Sequence, residues 1–519
     1  MAPRGVVAAG HAATAEAAAE VLRAGGNAFD AAVAACFAAC IAEPVLCSLA
    51  GGGFLLACPA GGAPRVYDFF VQTPRRRRPP AELDFHPVTA DFGTARQEFH
   101  IGLGAAAAPG CVRGLFAVHG DLGRMPMAEL AAPAVALARE GLTLNAFQAY
   151  IFGIVAPIYL ATPGARAVFA DPGCHDRIVG SGAVLRQPQQ ADFMEALCRE
   201  GPDLFHRGEV AAAVENLCRE GGGHLTRADL AHYAVARHPP LAREHAGARV
   251  LLTPPPSAGG LLVAAALELL SRHPPPRPWG SPGHLRHLAR VLSITDALRG
   301  DVLAHGTLAP GARGRLEGAR LREYLQRLAG PPARRGTTHV SIIDAAGNLA
   351  AMTVSNGEGC GHLVPGTGIM LNNMLGEADL HPGGFHRWPE DRRMTSMMTP
   401  GAVLGPGPRR IALGSGGSNR IRSALAQVLS NLLHFGLAPG EAVARPRLHV
   451  EGGHLSLEGG HDPGTVTALT ADWPEHTVWE DRNLFFGGAH LAVQDGAAFT
   501  GAGDPRRGGV GLMVEQPPA

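Results

Sequence analysis

The chain has 519 residues, 46% of them hydrophobic and 17% charged, enough apolar material for one large core or two ordinary ones. Basic and acidic residues balance at 45 each, and every Lys/Arg position is arginine, so the charge favours neither nucleic acid nor an anionic membrane surface. Nine cysteines, an odd number with no Cys-x-x-Cys spacing, read as reduced core thiols of a cytosolic protein rather than as a disulfide or zinc framework.

The opening "MAPRGVVAAGHAATAEAA" lacks the charged, apolar and small-residue succession of a secretory leader. After the strand-like "GVVAAG", residues 13–25 pattern as an amphipathic helix closed by Gly25-Gly26. A nearly all-apolar helix over 28–42 comes next and is predicted to be buried. The most apolar window, "DAAVAACFAACIA" (Asp30–Ala42), is too short to cross a bilayer, so a soluble, cytoplasmic protein is expected. "AGGGFLLACPAGGAPRVYDFFV" reads as a β-hairpin about a Pro/Gly turn. The run Arg75–Arg78 reads as a solvated loop. Residues 110–240 pattern mostly as helix with short Pro and Gly breaks. "RVLLTPPPSAGG" is a strand running into a proline stop, then a helix at 259–272 and a polyproline-type linker "SRHPPPRP".

From about Leu308 to Gly336 the chain is rich in Gly, Ala, Pro and Arg, the composition of a solvated connector. From Thr337 onward strand patterns dominate, with one helix around 419–435. Two segments are therefore expected: a helix-rich 1–336 and a strand-rich 337–519. The 24 histidines include no His-Glu-x-x-His, and "HPGGFH" (His381, His386) lacks metal-ligand spacing. Surface or loop histidines, no metal and no cofactor are expected.

The abrupt start of strand pattern at Gly336-Thr337 invites a chemical reading. "TTHVSIID", the turn "AAGN" and "LAAMTVS" form a hairpin pattern, and antiparallel pairing about a turn centred near Ala346 sets Thr337 opposite Ser355. The plain reading is an ordinary hairpin that uses Thr and Ser as good strand residues. The chemical reading is self-cleavage between Gly336 and Thr337. A threonine hydroxyl is a weak nucleophile, but a free α-amine on the same residue can serve as its general base. That amine titrates at about 7.7–8.0, close to working pH. A second candidate is "LGSGGSNRIRSALAQVLSNLL", a strand, Gly-rich turn and helix whose backbone N–H groups suit an oxyanion. A plain turn and a nucleotide site are the alternatives, although the turn matches neither the P-loop nor the dinucleotide fingerprint.

These segments resemble the gamma-glutamyltransferase (gamma-glutamyltranspeptidase) family over nearly the whole length. The resemblance rests on ordered motifs: "GGNAFDAAVA" (25–34), "AGGGFLL" (50–56), "APGCVRGL" (108–115), "GGHLTRADLAHY" (222–233) and "TPPPSAGG" (253–260). It continues through "TTHVSIIDAAGN" (337–348), "VPGTGIMLNN" (364–373), "MTSMMTP" (394–400) and "GSGGSNRI" (414–421). The resemblance implies an α+β fold, the four-layer αββα N-terminal nucleophile hydrolase sandwich. It also implies a precursor cut into a large subunit (1–336) and a small one (337–519) that together form one composite domain. Thr337 is then the nucleophile and Ser355 stands where the family has a second threonine. Gly417 and Ser418, or Gly416 and Gly417, carry the oxyanion N–H groups.

Substrate recognition departs from the family pattern. The family's Asp-Phe-Arg-Glu reads "DFFVQTP" here, with Phe70 at the position of the arginine that grips a glutamyl α-carboxylate. The expected asparagine after Ser355 is Gly357, with Asn356 adjacent. The amine-binding acids fall at Met374 and Glu377, and the carboxylate-binding serine pair at Thr395-Ser396. Arg392, Arg393 and Arg420 are candidates for a replacement carboxylate contact. The expected activity is hydrolysis or transfer of the acyl group of a gamma-glutamyl or related small amide, with water or an amine as acceptor. The rival readings are a tailoring hydrolase of secondary metabolism, an amidohydrolase for oxamate-like α-oxo amides, and an uncleaved binding protein. A small-molecule amide, without nucleic acid or membrane, is the expected partner, and a homodimer is one assembly the resemblance allows.

Overall fold

Alternating strands and buried helices account for the architecture of the computed structural model, which describes residues 3–91, 96–304, 307–308, 336–381 and 383–516. In chain order the main strands are β1 (Pro3–Ala9), β2 (Gly52–Cys58), β3 (Arg65–Asp68), β4 (Ala236–His238), β5 (Leu241–His245) and β6 (Ala248–Leu252). They continue as β7 (Thr338–Asp344), β8 (Leu349–Ser355), β9 (Gly401–Leu404), β10 (Arg410–Gly416), β11 (Gly488–Asp495), β12 (Ala498–Ala502) and β13 (Val510–Glu515). The helices that support the site are α1 (Ala12–Arg23), α2 (Ala28–Ala42), α3 (Cys111–Leu122), α4 (Ala258–Arg272) and α5 (Arg420–Leu433).

The first sheet has the order β4-β3-β2-β8-β7-β1-β13 and the second β5-β6-β9-β10-β11-β12. Alternate residues along the strands feed two different cores, as the period of two requires. Phe54, Leu56, Ile343, Leu349 and Ala351 join the core shared with the second sheet, α4 and α5. Leu55, Ala57, Val340, Ile342, Ala350 and Met352 join the core beneath α1 and α2. The result is helix, sheet, sheet, helix. A residue-number slip of one in β7 or β8 would exchange the two sets, so the register is strongly specified.

The helix expected over 13–25 ends at Arg23, two residues before Gly25 takes its positive φ of 96°. The apolar helix over 28–42 is found as expected, and all of its residues are buried. A capping box from Asn27 and Asp30 starts it. The helix around 419–435 is α5, but the strand-rich half also holds helices at Pro439–Ala444 and Pro463–Thr470. Both are short and start on proline, so no apolar period marked them. Both sheets draw strands from either side of Gly336: β1–β4 with β7, β8 and β13, and β5–β6 with β9–β12. The connector read over 308–336 lies, for residues 309–335, outside the described residues.

Seven cysteines are buried, Cys174 is exposed and Cys198 is half-buried. Arg75, Arg76 and Arg77 are exposed as expected, while Arg78 donates from Nη1 to the carbonyls of Cys218 and Gly223. The histidine expectation is corrected: His206, His224, His245, His284, His339, His381, His449 and His490 are all buried. His224 and His381 lie in loops as expected and the other six on helices or strands, and in each case packing encloses the ring, which single-residue polarity does not reveal. Among the described residues, no helix is long and apolar enough to cross a membrane.

Candidate active site

The hairpin register is the one expected, with Thr338 opposite Val354 and His339 opposite Thr353, which carries Thr337 to the level of Ser355. The peptide Gly336–Thr337 is held from several directions. The hydroxyl of Thr337 donates to the Gly336 carbonyl oxygen at 2.7 Å, and Ser355 Oγ donates to the same oxygen at 2.9 Å. Ser355 Oγ in turn accepts from Gly357 N at 3.1 Å. The Gly336 N–H donates to Glu358 Oε1 at 2.7 Å, and the Thr337 carbonyl accepts from Arg507 Nη1 at 3.1 Å. Burial pulls the Arg507 guanidinium down to about 10. Next in line, Thr338 Oγ1 donates to Glu43 Oε2 at 2.7 Å.

Beneath this strand His339 is sealed between Thr353 Oγ1 at 2.7 Å and Ser341 Oγ at 2.8 Å. Burial holds its imidazole well below the ordinary range, so it is neutral and acts as a packing and hydrogen-bonding wedge.

The Gly-rich turn arrives from the second sheet. A side chain on Gly416 would come within 2.1 Å of the Thr337 carbonyl oxygen, so only glycine permits this approach. Gly417 has φ 123°, and Ser418, a non-glycine residue, has φ 49°. Among the described residues the N–H groups of Gly417 and Ser418 have no acceptor. Ser418 Oγ donates to Asp379 Oδ2 at 3.0 Å, which fixes the strained turn against the cleft wall.

Phe70, Gly336, Thr337, Ser355, Glu377 and Ser418 share one cleft, closed by Thr395, Ser396 and Asn419. Most of its remaining wall is apolar: Met374, Leu380, Met397, Met398 and Ile421. Asp379 also lines it and adds a second carboxylate to the cleft. Phe70 is 1% exposed and stacks on Phe54 at 5.9 Å between centroids. Thr395 Oγ1 donates to Pro256 O at 2.7 Å, whereas Ser396 Oγ accepts from Met398 N at 3.1 Å and keeps its own proton to donate. Asn356 is fully buried and does not line the cleft.

None of the three arginines considered for a carboxylate contact lines the cleft. Arg393 turns its guanidinium to the Phe70 and Ala234 carbonyls and the Tyr233 hydroxyl, with Asp68 at 3.7 Å. Arg420 stacks over the Phe485 ring at 4.4 Å, and Arg392 is exposed. Sequence reading missed Arg507, Glu358, Asp379 and the methionine wall. Met397 and Met398 lie inside the motif "MTSMMTP", whereas Arg507 meets Thr337 only through the fold.

Comparison with known proteins bears on this geometry. The family model described as gamma-glutamyltranspeptidase matches residues 14–514. The chain is 29% identical to an acylase ACY 1 proenzyme from Pseudomonas sp. (strain SE83), over 98% of this chain and 94% of that protein. It is 28% identical to a glutathione hydrolase proenzyme from Pseudomonas aeruginosa, over 98% and 95%. Its fold matches the crystal structure of a cephalosporin acylase from Bacillus halodurans with a TM-score of 0.85 at 23% identity, covering 99% of this chain and 96% of that one. With a family model spanning nearly every residue and the fold to match, the chain belongs to the gamma-glutamyltranspeptidase family.

Proposed function

We propose that the protein is a self-cleaving amidohydrolase or acyltransferase whose nucleophile is Thr337, exposed as a new N-terminus by its own reaction. The observation that carries this reading is the pair of hydroxyls, Thr337 and Ser355, on the Gly336 carbonyl oxygen. In the precursor, Thr337 Oγ1 attacks the Gly336 carbonyl carbon while Ser355 donates to the developing oxyanion. The hydroxyl proton passes to the Thr337 nitrogen as the C–N bond breaks, leaving an ester. Water then cleaves the ester to a Gly336 carboxylate and a free Thr337 bearing both its hydroxyl and its α-amine. The products are a large subunit, 1–336, and a small one, 337–519.

The same atoms then act on substrate. The α-amine takes the proton of Oγ1 as the oxygen attacks an amide carbonyl, and returns it to the leaving amine. N–H groups at Gly417 and Ser418 are the oxyanion donors. Water or an acceptor amine releases the acyl group. The cleft favours an acyl group without a gripped α-carboxylate, because Phe70 replaces the arginine and Arg393 is turned to protein carbonyls. Its apolar wall suits a neutral acyl chain, in keeping with relatives named as acylases. Glu377 and Asp379 supply the polar end and attract an amino group if the substrate carries one. Comparing a gamma-glutamyl anilide with neutral acyl anilides tests this. Higher kcat/KM on the neutral series is expected, and a preference for the glutamyl compound refutes the assignment.

A further inference from the structure

Away from the cleft, four thiols gather in the core beneath the first sheet. Cys36 and Cys40 lie one turn apart on α2, Cys47 comes just past that helix, and Cys111 is the first residue of α3. Each is at most 1% exposed. The Cys36 and Cys111 sulfurs are 3.8 Å apart and those of Cys40 and Cys47 are 3.3 Å apart. The sulfurs of Cys36, Cys40 and Cys47 all lie within 4.8 Å of one another. No disulfide joins any of them among the described residues.

This spacing suits a common ligand. An ion bound to thiolates at about 2.3 Å holds its sulfurs roughly 3.8 Å apart, and the Cys36, Cys40 and Cys47 sulfurs, all within 4.8 Å of one another, approach that separation. The donors are sulfur alone, which disfavours hard cations such as Mg²⁺ and Ca²⁺ and favours soft, thiolate-seeking ones. We propose that Cys36, Cys40 and Cys47 form a sulfur-only site for one closed-shell cation, Zn²⁺ or Cu⁺, with Cys111 beside Cys36 at its edge.

The ion would fasten α2 to the segment that follows it, next to the start of α3, and these elements support the reacting peptide. Cys111 N donates to Gly51 O, and Gly51 packs so closely on the Ser355 carbonyl that a side chain would come within 2.4 Å of it. The backbone of Cys47 is tied to Glu43 O, and the Glu43 carboxylate receives the Thr338 hydroxyl. The site therefore lies under the floor of the cleft without belonging to it. Ion uptake requires thiolates, so it releases protons and strengthens as pH rises.

The test uses the full chain, purified reduced and without chelator, then equilibrated with Zn²⁺ in one arm and Cu⁺ in another. About one ion per chain in at least one arm, with a sulfur-only shell by X-ray absorption and a raised Tm, is the expected result. Cys40→Ala and Cys47→Ala should weaken uptake by more than the roughly 10–100-fold that loss of an outer-shell partner costs a metal site. Exposed Cys174→Ala should leave it unchanged. The wild-type Tm comparison stands even where a variant fails to fold. No ion above background in either arm, uptake unchanged in Cys40→Ala, or a Cys40–Cys47 disulfide in the mass spectrum of unreduced protein overturns the proposal.

Discussion

At Gly336 the carbonyl oxygen receives two hydroxyl protons, and the proposed reaction gives their owners different tasks. Thr337 supplies the attacking oxygen, whereas Ser355 only steadies charge. Ser355→Ala should therefore slow self-cleavage by roughly 10²–10³-fold, the usual cost of one oxyanion donor, without abolishing it. Ser355→Thr should restore the rate, as read from band intensities on a denaturing gel over time. Phe70 sets the other limit at this scale. Phe70→Arg should raise kcat/KM on a gamma-glutamyl anilide by roughly 10–100-fold, the equivalent of a charge-assisted contact of about 1.5–3 kcal/mol. It should also lower Tm, because the ring leaves its stack on Phe54. An unchanged glutamyl activity would show that the acyl carboxylate is recognised elsewhere.

Elements position these residues through a few long-range ties. The carboxylate of Asp344, at the end of β7, accepts from Ala28 N at 2.9 Å, Asn348 N at 2.9 Å and Asn348 Nδ2 at 2.8 Å. One side chain thus closes the β7–β8 turn and secures the start of α2. Asp344→Ala should destabilise the fold by about 3 kcal/mol, measured by denaturant unfolding, because buried donors lose a charged acceptor. The β7–β8 hairpin itself was legible in the sequence, since apolar alternation and a Gly-Asn turn fix register locally. So was α2, because a fifteen-residue run that is apolar apart from Asp30 has few other destinations. The Arg507 contact was not legible, because it joins residues 170 positions apart through the packing of two sheets. The withdrawal of Arg393 toward Phe70 O and Ala234 O was hidden for the same reason.

For the whole molecule, buried histidines govern the response to acid. Burial lowers His224, His245, His284, His449 and His490 to about 4, and His206 to about 3. In the unfolded chain an imidazole titrates near 6.5, so as pH falls the unfolded state binds protons first. Their contribution is complete above about 6.5 and is lost between about 6.5 and about 4. Tm should drop steeply from pH 7 to pH 5, and a flat profile would show that these imidazoles are not enclosed in solution. The interleaved sheets carry a second consequence. Because each sheet pairs strands from both sides of Gly336, the two proposed subunits should co-elute in native gel filtration after the cut. All of the proposed chemistry depends on that cut, which a denaturing gel of the purified protein reads out, with N-terminal sequencing of the smaller band. Two bands are expected, matching residues 1–336 and 337–519, with the smaller beginning Thr-Thr-His and both absent from Thr337→Ala. A single full-length band that persists on long incubation, or a smaller fragment beginning elsewhere, would refute self-cleavage at Gly336–Thr337.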